Sequence, residues 1–124
     1  MKITFTYHKL QVWYLAKDLV IEVYKVTKSF PAEEKFGLVS QLNRAAVSVA
    51  SNIAEGSGRT SRKDQSHFTQ LAYGSLMEVA CQIEISFDLG FIFEKEYLPI
   101  VNAIDILSGK LSALRSAQLK AASR

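Results

Sequence analysis

Only two prolines and six glycines interrupt this 124-residue chain. They fall mostly between four stretches whose apolar residues recur at three- and four-residue steps. Such spacing puts the apolar side chains of each stretch on one face of a helix. Four helices joined by short connections have antiparallel neighbours. The pattern therefore predicts an all-α fold, an antiparallel up-down-up-down four-helix bundle over residues 1–124 as one domain. The helices are expected near 10–29, 34–55, 61–89 and 94–121.

Each stretch carries its own stop and start signals. Leu10, Trp13, Ala16, Leu19, Val20, Val23 and Tyr24 form the first stripe, and Phe30-Pro31 ends it because the residue before proline leaves the α region. The second stripe is Leu38, Leu42, Ala45, Ala46, Val49 and Ile53, with Glu33 and Glu34 suited to the positive end of the helix dipole. From Ala45 to Ala54 this helix has no charge and is nearly all small, so it wants neighbours on more than one side. Gly56-Ser57-Gly58 is expected to close it through a left-handed turn. Ser61 and Asp64 then resemble a capping box at the start of the third helix. Its stripe is Phe68, Leu71, Ala72, Ser75, Leu76, Val79 and Ile83, and at about 1.5 Å per residue it is about 40 Å long. The fourth stripe is Leu98, Val101, Ile104, Ile106, Leu107, Leu111 and Leu114. Pro99 should delay or kink this helix, and Gly109 marks a weak point or a close crossing. Ile3, Phe5 and Tyr7 alternate with Thr4 and Thr6, which predicts a short extended N-terminal arm, docked locally or on a neighbouring subunit.

No catalytic, cofactor-binding or metal-ligating residues are assigned. Cys81 is the one cysteine, which excludes an internal disulfide or a CxxC site, and its apolar surroundings suggest a buried structural thiol. Di-iron bundles need Glu-x-x-His on two helices, and the nearest pattern here is a single Asp64-Gln65-Ser66-His67. Neither His8 nor His67 lies on a core stripe to serve a nucleophile. Gly56-Ser57-Gly58-Arg59-Thr60-Ser61 lacks the Gly-Lys-Ser/Thr ending of a phosphate loop and follows no strand. The N-terminal residues show no signal-peptide run, and nothing approaches the ~18 apolar residues of a membrane span. A cytoplasmic location with no membrane partner is the expectation.

The net charge is a modest +3, but the basic residues are grouped. Arg59, Arg62 and Lys63 flank the start of the third helix, where free N–H groups and the dipole favour an anion. Beyond Ile106 come Lys110, Arg115, Lys120 and Arg124 without an acid. Each group is either a solvated face or a phosphate contact. On the second helix Gln41, Arg44, Ser48, Asn52 and Glu55 make a polar seam. If it is covered, Arg44 needs a carboxylate such as Glu78 or Glu84. The seam reads as a structural polar layer or interface rather than a ligand site.

Certain motifs carry a resemblance. They are Leu10-Gln11-Val12-Trp13, Phe30-Pro31, the run from Phe36 to Gly56 with its Ser51-Asn52-Ile53-Ala54-Glu55-Gly56 ending, Gly58-Arg59, Phe68, Gly74-Ser75-Leu76-Met77-Glu78, and Leu89-Gly90-Phe91-Ile92. Over about 10–93 the chain resembles the four helix bundle protein family, also called the 23S rRNA-intervening-sequence protein family. The resemblance implies a bacterial, non-enzymatic homopentamer without cofactor. The accessory variability determinant of diversity-generating retroelements is similar, and binds nucleic acid and a reverse transcriptase through a basic pentamer surface. Relatives often carry a base at the position of Asn43 and an acid at that of Ala80, so this chain is less charged at both. The expectation is a homo-oligomer that binds RNA or DNA through its basic surface. The alternative is a protein–protein scaffold with no nucleic-acid contact.

Overall fold

A computed structural model describes residues 2–123. Four helices dominate: α1 (Gln11–Thr27), α2 (Leu38–Ser57), α3 (Arg62–Asp88) and α4 (Glu94–Ala122). Short 3-10 helices at Thr6–Lys9 and Ala32–Glu34 precede α1 and α2. There is no strand among the described residues. Paired contacts set the helix directions. Gln41 and Ser48 of α2 meet Gln82 and Ser75 of α3 in reverse order. Tyr97 and Gln118 of α4 meet Phe87 and Thr69 of α3 in the same reversed sense. Thr27 of α1 bonds to Asn43 of α2, while Thr6 ahead of α1 bonds to Ser57 at the far end of α2. Sequential helices therefore run antiparallel.

The core follows the helical period. Ala16, Leu19 and Val23 from α1, Leu42, Ala46 and Val49 from α2, Leu76, Val79 and Ile83 from α3, and Leu107 and Leu111 from α4 are all buried. Ala45 and Ala46 of α2 are used inside the bundle, where that helix packs against both α1 and α3, while Ala50 and Ala54 are half-buried and Ser51 is exposed. On α4 the expected stripe is out of frame in its first half. Ile100, Ile104, Leu107 and Leu111 are buried, whereas Leu98, Val101 and Ile106 are exposed. This helix is apolar on two faces, and the 100–104–107–111 series is the one turned inward. Leu71 and Tyr24 are exposed too, and Cys81 lies on the outside of α3. It stands two residues, about 200° of helix turn, from both Val79 and Ile83, so it faces away from them.

Several boundaries differ from expectation. α1 stops at Thr27, and buried Phe30 turns back to pack on Phe91, ring centroids 5.5 Å apart. α2 starts at Leu38, whose N–H donates to Glu34 Oε1 at 3.1 Å, so Glu34 caps the helix from outside it. At the other end α2 continues through Gly56, and Gly58 keeps a right-handed conformation. Gly56 serves close packing instead: a Cβ there would lie 2.7 Å from Phe68 Cβ. Ser61 Oγ accepts from Asp64 N–H at 3.1 Å, but Asp64 does not close the reciprocal bond of a full box, being one methylene shorter than Glu. α4 begins at Glu94 despite Pro99 within it. Gly109 is no crossing point, since nothing approaches the position of its missing Cβ. The arm is not extended throughout. Phe5 N–H donates to His8 Nδ1 at 2.9 Å and His8 N–H returns to Phe5 O, winding Thr6–Lys9 into its 3-10 turn.

The left-handed turn is found at the end of α3, where Gly90 has φ +82°. Gly90 N–H bonds to Phe87 O and Phe91 N–H to Ser86 O, both at 2.9 Å, the paired bonds of a Schellman motif. A side chain strains this conformation, so Gly90→Ala should destabilise the fold by about 1–2 kcal/mol in urea unfolding. Gly56→Ala must separate α2 from Phe68 and should cost about 1–3 kcal/mol. A neutral result at either position would contradict the role assigned to it.

Candidate nucleic-acid interface

Antiparallel packing brings residues distant in sequence to one end of the bundle. The end of α2 and the start of α3 present Arg59, Arg62 and Lys63, all exposed. The last third of α4 packs beside them. Gln118 Oε1 accepts from Thr69 Oγ1 at 2.8 Å, and Arg115 donates to Gln70 Oε1 at 3.2 Å. Exposed Lys120 follows on the same helix. Lys9, unassigned from sequence, joins this end through the arm, which Thr6 Oγ1 fastens to Ser57 Oγ at 2.7 Å. The acids of this end are Glu55 and Asp64. At the opposite end Glu33, Glu34, Asp88, Glu94 and Glu96 stand with Lys28, Lys35 and Lys95. Lys110 is not part of the basic group, since it lies ten residues before Lys120, about 15 Å along the axis. Arg124 lies outside the described residues.

These cations differ in how they are held. Arg59 pairs with Glu55 Oε1 at 3.1 Å and places its guanidinium 4.5 Å from the Phe68 ring centroid. Arg62 donates to Gln65 Oε1 at 3.2 Å, while Gln65 Nε2 donates to Arg59 O at 2.9 Å. Gln65 and Phe68 thus orient the two arginines. Their three-residue spacing on α3, one turn beyond Arg62, was the available signal for that role. Lys63 and Lys120 point into solvent without an ion pair among the described residues. Arg115 is half-buried, and its Nε has no partner.

The polar seam of α2 divides. Gln41, Ser48 and Asn52 line the α2–α3 groove: Ser48 Oγ meets Ser75 Oγ at 2.8 Å, and Asn52 Nδ2 donates to Ser48 O at 2.9 Å. Gln41 Oε1 accepts from buried Gln82 Nε2 at 3.2 Å, which also reaches Glu78 Oε2 at 3.3 Å. Arg44 and Glu55 stay outside. Arg44 is exposed and pairs with neither Glu78 nor Glu84, so water supplies its solvation. Asn43 is half-buried and accepts from Thr27 Oγ1 at 3.2 Å, a structural use of that position. Thr69, Gln82 and Gln118 were missed as buried polar residues, although they fall on the same helical faces as Ala72, Val79 and Leu111.

Among the described residues, no group of three or more His, Cys, Asp or Glu side chains could hold a metal ion. Among the described residues, no helix is long and apolar enough to cross a membrane.

The family model described as "23S rRNA-intervening sequence protein" matches residues 8–113. A crystal structure from Bacteroides thetaiotaomicron, a protein of unknown function from the S23 ribosomal protein family, has the same fold. It superposes with a TM-score of 0.76 at 20% sequence identity, covering 84% of this chain and 97% of that one. No curated protein matches the chain in sequence.

The Ser48–Ser75 contact should behave as a coupled pair. Ser48→Ala or Ser75→Ala alone leaves a hydroxyl in the groove with one partner fewer, at a cost of about 1 kcal/mol each. The double variant should cost less than their sum by about 0.5 kcal/mol or more. Additive losses in urea unfolding would show that the contact does not tie α2 to α3.

Proposed function

The chain belongs to the 23S rRNA-intervening sequence protein family, and from that premise we propose that it is a non-enzymatic homopentamer that binds nucleic acid through the basic end of its bundle. The observation that carries this reading is the union of Arg59, Arg62 and Lys63 with Lys9 and Lys120, groups far apart in sequence, beside only Glu55 and Asp64. Phosphates are the natural counterions of such a surface, and their neutralisation releases condensed salt ions. Arginine forks suit phosphate oxygens geometrically, and Lys63 and Lys120 add compact charge. Assembly draws on the apolar residues left outside the bundle, among them Leu71, Met77, Ile85 and Leu89 on α3. A contiguous exposed apolar patch is the surface on which copies would associate.

Filter binding over a series of salt concentrations tests the interface. Log affinity should fall linearly with log salt, and replacing Arg59, Arg62 and Lys63 by glutamine should flatten the slope by about 2. Salt-insensitive binding, or no binding at low salt, would overturn the reading. Light scattering tests assembly, with an expected mass about five times the 13.8 kDa of the chain.

A protein–protein scaffold is the second reading, favoured by the same exposed apolar residues. A partner that stays bound after nuclease treatment, with no salt-dependent nucleic-acid binding, would decide for it.

A further inference from the structure

We propose that a cavity in the basic end of the bundle is a binding site for a phosphate monoester, the terminal phosphate of a nucleic-acid strand. The source of that phosphate rests on the nucleic-acid reading above, while the site itself does not. The cavity has a volume of about 250 Å³ and lies where the 3-10 turn before α1, the end of α2, the start of α3 and the last third of α4 converge. Lys9 and Arg62 supply its charge, and no carboxylate is among the residues that line it. The hydroxyls of Thr6 and Ser57, 2.7 Å apart, stand on the same wall.

The observation independent of charge is Gln118. Its side chain is nine-tenths buried, and its Oε1 accepts from the buried Thr69 hydroxyl at 2.8 Å. That bond orients the amide and leaves Nε2, for which the described residues supply no acceptor, at the cavity wall. Nε2 is not one of the fully buried unpartnered atoms among the described residues, so it meets water in the free protein and can donate to a ligand there. Arg62 is steadied by its bond to Gln65 Oε1, and Gln65 is itself anchored to Arg59 O. The site thus offers two cationic donors and one amide donor, and no competing anion, while the Ser57 hydroxyl proton is committed to Ala54 O and that of Thr6 to Ser57 Oγ.

That set suits a phosphate monoester better than its alternatives. A monoester carries a charge of about −1.5 to −2 and three strong acceptor oxygens. A backbone diester carries about one charge, and a carboxylate has one charge and two oxygens. Two cations and an amide meet the monoester's acceptors with charge-assisted bonds. The cavity would therefore distinguish a phosphorylated strand end from the interior of a strand, which the exposed arginines and lysines around it cannot do.

The test uses the intact protein and two probes. In titration with inorganic phosphate, the side-chain NH₂ resonances of Gln118, identified by their loss in Gln118→Leu, should shift. In binding assays a short oligonucleotide bearing a 5′- or 3′-phosphate should bind about tenfold more tightly than the same strand without it. Gln118→Leu should abolish that difference while the unphosphorylated strand binds as before. Lys9→Gln, on an exposed turn, should reduce it and serves if Gln118→Leu does not fold. A Gln118 shift with phosphate but no binding of any strand would support the site and overturn the nucleic-acid reading. Absence of the Gln118 shift, or equal affinity for phosphorylated and plain strands, would overturn the proposal.

Discussion

The approach of α2 to α3 is the constraint on which the rest of the structure depends. Gly56 lies against Phe68 with no room for a Cβ, so the two helices begin their shared path in near contact. Ser48 with Ser75, and Gln41 with Gln82, then hold them in register along their length. These polar pairs cost little where the groove opens to water, and they penalise a slip of one helix along the other. With α2 and α3 fixed as a pair, α1 packs on α2, α4 packs on α3, and α1 and α4 meet to close the bundle. The Phe68 that limits the approach also lies under the Arg59 guanidinium. The feature that sets the helix spacing therefore also positions a cation at the end of the bundle.

How much of this was legible in the residues differs from helix to helix. The α2 core was read correctly because its large apolar residues occupy one face and small or polar ones fill the rest. α4 misled because Leu98, Val101 and Ile106 form a second apolar face, and periodicity alone cannot say which of two faces turns inward. Cys81 was misplaced for a related reason: an apolar neighbourhood in sequence is not an apolar neighbourhood on a wheel. Arg44 needs a carboxylate partner only if its seam is covered, and its exposure removes that need. Glycine raised a different difficulty, since Gly56 and Gly90 carry the same letter. One is required by the closeness of a neighbour and the other by a backbone angle. Only the three-dimensional arrangement separates those causes.

The candidate site was half legible. Its arginines and Lys63 stood out as a cluster, but their union with α4 and with Lys9 is a product of antiparallel packing, which no local pattern records. Gln118 was invisible because a glutamine near the end of a helix normally signifies solvent. Packing buries it instead, and the hydroxyl of Thr69, on another helix, bonds its amide oxygen.

Antiparallel helices also cancel one another's dipoles, since each end of the bundle holds two helix starts and two helix finishes. The contrast between the basic end and the opposite, acid-rich one is therefore written almost wholly in side chains. A body polarised along its length turns that length outward from an oppositely charged filament. With helix axes about 8–10 Å apart, such a bundle would occupy about 20 Å of the filament, where lying flat it would cover about 40 Å. Each bundle standing upright would take about half the stretch it takes lying flat. On the nucleic-acid reading proposed above, the placement of a few lysines and arginines would set a packing density as well as an affinity.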